Sequence, residues 1–285
     1  MNDKPSFFGH REAVKIRYPQ IFKIDLWQRV FVIVVIGFLL GLFIFGLAAL
    51  EFSFLRIWNG LGQLGIIVKL MMPPDPETWA RLVLYSRSLA ETLAIAFLGT
   101  SLACVLAFPL SMLAARNVMT QRIVQFFARR SLDVIRGVDT LIWALIWINV
   151  VGLGPFAGVL AIMSADIGAF GKLFSEALEA ADRKPVEGIL ASGGSHAHSI
   201  RFGLIPQVLP IITSQWLYYI ESNTRSATII GIVGAGGIGL HLSEMIRTLE
   251  WQQVSFLVLM ILITVACIDG LSSKIRFAVI GPRAV

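Results

Sequence analysis

Long apolar runs, rather than short alternating ones, organise this chain. Windows of about 20 mostly apolar residues recur along it, the length that crosses roughly 30 Å of hydrocarbon as a helix. The first covers residues 29–50, where Val, Ile, Leu and Phe occupy every side. Others cover 89–114, 132–151, 156–178, 207–232 and 254–271. The pattern predicts an all-α, polytopic membrane helical bundle with about six transmembrane helices. A transmembrane barrel would instead need alternating segments of about 10 residues. Spans two to five carry more Gly, Ser, Thr and Ala than the first, and small residues let helices approach closely in lipid. The first span is therefore expected to face lipid.

Residues 51–87 follow a different pattern. Phe54, Ile57, Trp58, Leu61, Leu64, Ile67 and Val68 recur at helical spacing before Pro73-Pro74-Asp75-Pro76 breaks the chain. This predicts an interfacial helix on the outer leaflet, which either packs over the bundle or docks an external partner. The lead before the first span contains Asp3, Glu12 and Asp25, unlike a cleaved signal peptide, so an uncleaved anchor is expected.

Composition agrees with the pattern. The chain is 56% hydrophobic and 15% charged, where a soluble domain is nearer 45–50% and about 25%. Cys104 and Cys267 lie in apolar stretches and read as packing residues, with neither a disulfide nor a metal pair expected. The net charge of +6 does not imply nucleic acid, because no basic tract is interleaved with stacking aromatics. Its distribution is informative. Residues 1–29, 115–136, 179–206 and 272–285 hold 17 Lys and Arg, and the intervening non-span segments hold 5. The positive-inside rule puts both termini and the 179–206 loop in the cytoplasm. The expected organisation is a cytoplasmic segment 1–28, a first span with its external interfacial segment 29–87, a core 88–273 and a cytoplasmic tail 274–285.

The loop at 179–206 carries the most specific signal. Glu187-Gly188-Ile189-Leu190-Ala191-Ser192-Gly193 is followed by nine residues and then Gly203-Leu204-Ile205-Pro206. Pro185 suits the first turn of a helix. Gly193 and Gly194 stop that helix with residues that accept positive φ. Ser195 can cap the next stretch, and Pro206 opens the fifth span. Two short helices at an angle would form a knob that a soluble partner can grip. His196 and His198 read as solvated loop residues because no third ligand accompanies them, so no metal site is expected.

This arrangement resembles the coupling loop of ABC importer permeases, whose pattern is Glu-Ala-Ala, three residues, Gly, nine residues, Ile, one residue, Leu-Pro. Glu187, Gly193 and Pro206 keep that spacing, while Gly188-Ile189 replace Ala-Ala, Gly203 replaces Ile and Ile205 replaces Leu. Residues 151–159, 221–228 and 231–239 sharpen the resemblance to the permease subunit of phosphonate ABC importers, over roughly residue 88 to the C-terminus. The resemblance implies a homodimer in a bacterial inner membrane and an external substrate-binding protein. It also implies two cytoplasmic ABC ATPase subunits that use ATP and Mg. Glu187, Gly193, Gly194 and Pro206 would couple to those ATPases.

Asp139, Asp166, Glu221 and Arg225 are charged residues at membrane depth, where charge is costly and tends to face a bundle interior or cavity. Glu221 and Arg225 lie four apart on one helical face and can pair. Two readings stay open. In the first, an ion pair or network satisfies Arg225; in the other, Arg225, with Asn223 and Ser226, lines the translocation pathway. In the second reading the planar guanidinium matches phosphonate oxygens and Glu221 tempers its grip. Asp139, one turn from Trp143, joins this candidate set.

Gly234-Ala235-Gly236-Gly237-Ile238-Gly239 is not a nucleotide loop, since no strand precedes it and no Lys-Ser or Lys-Thr follows. It serves either close helix packing or a re-entrant turn near the outer mouth, where Gly234, Gly236 and Gly237 would offer amides to an anion. No residue set proposes a catalytic nucleophile and base, and no Walker-type motif is present. The expectation is a transport subunit, not an enzyme, that binds no cofactor itself and imports phosphonate or a related oxyanion by alternating access. The alternatives are a permease for methionine or another small nutrient, a membrane-embedded transferase and an ion channel.

Overall fold

A computed structural model describes residues 26–280, and every regular element among them is helical. Of the expected terminal segments, residues 1–25 and 281–285 lie outside the described residues. The chain divides into two compact units, residues 1–66 and 67–285.

The first unit holds α1 (Leu26–Ala49) and most of α2 (Phe54–Leu70). Large side chains from Val30 to Phe45 are exposed around the whole circumference of α1, as suits a helix that meets lipid on all sides. α2 forms where the helical spacing places it. Arg56 and Glu51 pair across its start at 3.1 Å.

The first helix wholly inside the second unit is α3 (Trp79–Ala114), which starts ten residues before the expected second span. Nothing between Thr78 and Leu89 breaks a helix. Arg81, in its first turn, is held by Glu77 and, at 3.1 Å, by Glu250, so the charge does not stop it.

The third expected span, 132–151, is not one helix. It is replaced by α4 (Arg122–Arg136) and α5 (Thr140–Val151), bent by 89° at the break between them. Arg129, Arg130, Asp133 and Arg136 make the second half of α4 too charged to cross a bilayer. Asp139 then caps the next helix, its Oδ1 accepting from the Leu141 amide at 2.8 Å. The 12 residues of α5 extend about 18 Å, too short to cross alone.

α6 (Pro155–Ala180) is the central helix, and α3 lies along it. Small residues make the approach possible. A Cβ on Gly99 would meet the Ile162 side chain at 2.8 Å, and on the side that meets α4 one on Gly171 would meet Leu132 at 2.5 Å. Phe170 and Phe174 stack at 5.1 Å in the main core cluster with Leu178, Leu204 and Val208.

A helical knob follows: α7 (Arg183–Ala191), the single turn α8 (His196–His198) and a π-helical turn, Ser199–Leu204. The turn runs directly into α9 (Ile205–Ile232), with Pro206 in the first turn, where its missing N–H costs nothing. α10 (Ile238–Arg247) and α11 (Trp251–Ile280) complete the unit.

Four helices are long and apolar enough to cross a membrane: Arg29–Ala49, Trp79–Ala114, Pro155–Ala180 and Trp251–Arg276, or five if the bent α4–α5 pair counts as one. The expected span at 207–232 is a helix of 28 residues, but Gln, Ser, Asn, Glu and Arg side chains lower its apolarity. Six apolar spans are therefore not present among the described residues.

Candidate functional site

The knob is built by local capping. Asp182 caps α7, accepting from the Lys184 amide at 3.0 Å. At the other end Gly193 takes φ +86°, and the Gly194 amide returns to the Ile189 carbonyl at 3.0 Å. That positive φ is the conformation glycine adopts most readily. Ser195 and His198 then form a reciprocal capping box. Gly203 lets α7 lie against the π-helical turn, since a Cβ there would stand 3.2 Å from Val186 Cα. Gln207, the third residue of α9, ties the root: its Nε2 donates to the Asp182 and Gly203 carbonyls and its Oε1 accepts from the Asp182 amide.

What projects from this frame is exposed. Glu187, Gly188, Leu190 and Phe202 all face outward, and Glu187 makes no ion pair among the described residues. An unpaired acid beside two exposed apolar side chains on a rigid bend suits a surface made to be covered. His196 and His198 are exposed too, and no group of three His, Cys, Asp or Glu among the described residues could hold a metal.

The candidate pathway residues separate into three environments. Asp139, exposed at the α4–α5 bend, is occupied in capping α5. Asn223 is buried, with its Nδ2 donating to Thr100 Oγ1 at 2.7 Å and to Asp166 Oδ2 at 2.5 Å. It clamps α9 to α3 and α6 and does not face open space. Glu221 is also buried, but its carboxylate lies 3.6 Å from Arg225 Nη2 and 3.5 Å from Arg276 Nη2. The four-residue spacing therefore brings Glu221 and Arg225 together as anticipated, and Arg276 of α11 adds a second cation.

Arg225 itself is half exposed, at 50% of its side chain. It shares the open face of α9 with Tyr218, Ser222, Ser226 and Ile229. One carboxylate between two guanidinium groups leaves a local excess of one positive charge, so this face can attract an anion while Glu221 limits how tightly it is held.

The glycine-rich turn is a different object. Gly234, Gly236 and Gly237 all have positive φ. The expectation that their amides are open to an anion is not met at Gly237, whose N–H donates to Glu91 Oε1 at 3.0 Å. The next amide, on Ile238, donates to Thr92 Oγ1 at 2.8 Å. The Gly234 carbonyl accepts from the Gly154 amide at 3.0 Å, which fixes the turn to the start of α6. α10 thus begins with a carboxylate already at its positive end. A cavity of about 330 Å³ beside the turn is lined by Ser88, Glu91, Leu153 and His241. Glu91 makes it unfavourable for an anion.

Arg276, Glu91 and Gln207 were not anticipated. Glu91 had a signal, being an acid inside an apolar span. Arg276 had none, because it was one of several basic residues after the last span. Gln207 opens the fifth run, where an uncharged side chain draws no notice.

Comparison with known proteins follows the same outline. The family described as binding-protein-dependent transport system inner membrane component matches residues 107–281. HtxC of Stutzerimonas stutzeri, a candidate phosphite transport system permease, is 37% identical over 233 residues, 82% of each chain. PhnE2 of Escherichia coli, a candidate cryptic phosphonate transport system permease, is 47% identical over 118 residues, 41% of this chain and 97% of that one. A solved inward-facing structure of the MetNI methionine ABC transporter superposes with a TM-score of 0.62 at 18% identity, covering 71% of this chain and 99% of that one. At that identity the likeness speaks for the fold alone. The matched family region takes in α6, the knob, α9 and the glycine-rich turn, and the chain belongs to the family of inner-membrane components of binding-protein-dependent transport systems: a multi-pass transport subunit rather than an enzyme.

Proposed function

We propose that this chain is the permease subunit of an ATP-driven importer of phosphonate, phosphite or a related oxyanion, and that it works as a homodimer. Two identical cytoplasmic ABC ATPase subunits grip the two knobs, and an external binding protein delivers the cargo. The permease binds no cofactor; ATP and Mg belong to the ATPases. Both termini and the knob lie in the cytoplasm, in keeping with the distribution of Lys and Arg.

The observation that carries this reading is the exposed, rigidly capped knob fused without interruption to α9. Movement of α7 reaches α9 through the π-helical turn and the Gln207 bonds. α9 is 28 residues long, or about 42 Å, so a push at one end is delivered to Arg225 and to the glycine-rich turn. The chain supplies no energy of its own. Differential contact of the ATPases with two conformations of the dimer must drive the switch between outward- and inward-open states. Two copies across a symmetry axis bring two Arg225 side chains, with Ser222 and Ser226, to one central path. The cargo assignment draws on the phosphite and phosphonate permeases among the relatives and on the fit of guanidinium to oxyanion.

The test is ATP-dependent uptake in proteoliposomes holding the permease, its ATPase and its binding protein. Radiolabelled methylphosphonate or phosphite should accumulate only with ATP. Arg225→Ala should lower uptake at least about tenfold at unchanged thermal stability, and Arg225→Lys should restore part of it. Wild-type uptake by Arg225→Ala removes that residue from the path, and uptake of methionine in place of the oxyanions removes the cargo assignment.

A further inference from the structure

α4 borders a basic cavity that is separate from the candidate pathway residues. A cavity of about 710 Å³ lies between the α3–α4 loop and the start of α4, and Arg116, Arg122, Arg129 and Arg130 all line it. Two of these are neutralised. Arg129 pairs with Glu179 at 3.1 Å, and Arg130 pairs with Asp133, also at 3.1 Å. Arg116 and Arg122 make no ion pair among the described residues. The cavity therefore keeps an excess of positive charge. The start of α4 adds to it: Gln121 provides no side-chain cap, and the first intrahelical bond is Gln125 to Gln121. The three amides between them have no acceptor within the helix, which favours an anion there.

A second observation sets the kind of anion. Ile123, Phe126, Phe127 and Val134 fall on one stripe of α4 and are 74%, 56%, 64% and 70% exposed. Arg122 and Arg129 border that stripe on one side, Arg130 lies within it with its guanidinium 5.5 Å from the centre of the Phe126 ring, and the opposite side packs inward through Leu132. Nothing in a free phosphate explains four bare apolar side chains next to the cations. A helix with an apolar stripe edged by arginines is built to lie in a bilayer interface, and the 89° bend to α5 gives α4 that direction if α5 descends into the membrane.

We propose that this cavity holds the phosphate headgroup of an anionic phospholipid, with the α4 stripe turned toward its acyl chains. The site sits at the root of the coupling knob. The Arg116 amide donates to Glu179 Oε1 at 2.9 Å, and His196 Nε2 lies 3.5 Å from the Val118 carbonyl oxygen. A lipid bound here braces the α3–α4 loop on which the knob rests.

The full chain in mild detergent should bind fluorescent phosphatidylglycerol saturably and phosphatidylcholine weakly. Millimolar inorganic phosphate should not displace the lipid. Removing two surface cations by Arg116→Gln with Arg122→Gln should weaken phosphatidylglycerol binding roughly thirtyfold, with thermal stability unchanged. Arg122→Lys, which keeps the charge, should bind nearly as the parent does. If the double variant does not fold, the single variants, expected at about fivefold each, carry the test. Equal binding of the two lipids would overturn the proposal, as would full displacement by phosphate. Loss of ATPase co-purification in the double variant, with lipid binding intact, would assign the cavity to an acidic protein surface instead.

Discussion

At one end of α9 the knob leaves Gly188 and Gly193 with no atom within 4 Å of where a Cβ would stand. At the other end the turn leaves no such room at Gly231, Gly236, Gly237 or Gly239. The two segments share a glycine-rich composition and use it for opposite purposes. In the knob, Gly193 ends a helix and Gly188 keeps a surface low, so that space remains for something outside the chain, while Gly194 and Gly203 serve the knob's own packing. In the turn, glycine lets three stretches of backbone meet, and the Gly237 and Ile238 amides are taken by Glu91 and Thr92, while Gly234, Gly236 and Gly237 border the cavity of about 330 Å³. A glycine count does not separate an open surface from a tight joint; the distances around each Cα do.

The sharpest way to break this contrast is Gly239→Ala. The added methyl would overlap the Thr228 carbonyl oxygen, a backbone atom that cannot turn aside. Overpacking of this kind should cost about 3 kcal/mol, read as a fall in melting temperature of the detergent-solubilised protein. An unchanged melting temperature would mean the joint is open.

Asn223→Ala comes next. It leaves the Asp166 carboxylate, buried at 5% exposure, without its Nδ2 donor, at a cost of about 2 kcal/mol. Combining it with Asp166→Ala should recover part of that loss, because residues of one network are not additive. Should uptake fall while stability holds, Asn223 belongs to the path rather than to the clamp. A smaller effect is expected for Thr92→Val, which removes the acceptor of the Ile238 amide. Loss of a helix cap costs about 1 kcal/mol, and a fall well beyond that would show that Thr92 does more than cap α10.

The parts legible in the sequence are those whose causes are local. Pro185, Gly193, Gly194, Ser195 and Pro206 each fix a turn or a cap within a few residues, so the bent knob follows from the string of letters. The i, i+4 pair of Glu221 and Arg225 follows for the same reason. The break between α4 and α5 was missed because a 20-residue apolar window averages over Arg136-Gly137-Val138-Asp139. Read as a helix stop and an N-cap, those four residues carry the signal. The partnership of Arg276 with Glu221 spans 55 residues, and no local pattern says which helices will stand side by side. The occupation of the Gly237 and Ile238 amides was hidden likewise, since it depends on Glu91 and Thr92 arriving from α3.

The smallest predicted effect on stability is also the most telling about the knob. Gly188 lies inside α7, in helical backbone, with open space around it. Alanine there should stabilise the isolated permease by roughly 0.5–1 kcal/mol, because glycine loses more conformational freedom on entering a helix. The same methyl stands next to Glu187 on the face proposed to meet the ATPase. If that face is covered in the complex, Gly188→Ala should raise the melting temperature of the permease alone while lowering ATPase co-purification and ATP-dependent uptake. If both quantities rise together, α7 is free in the working transporter and the knob is gripped elsewhere, with the exposed Phe202 on the neighbouring π-helical turn as the next position to change.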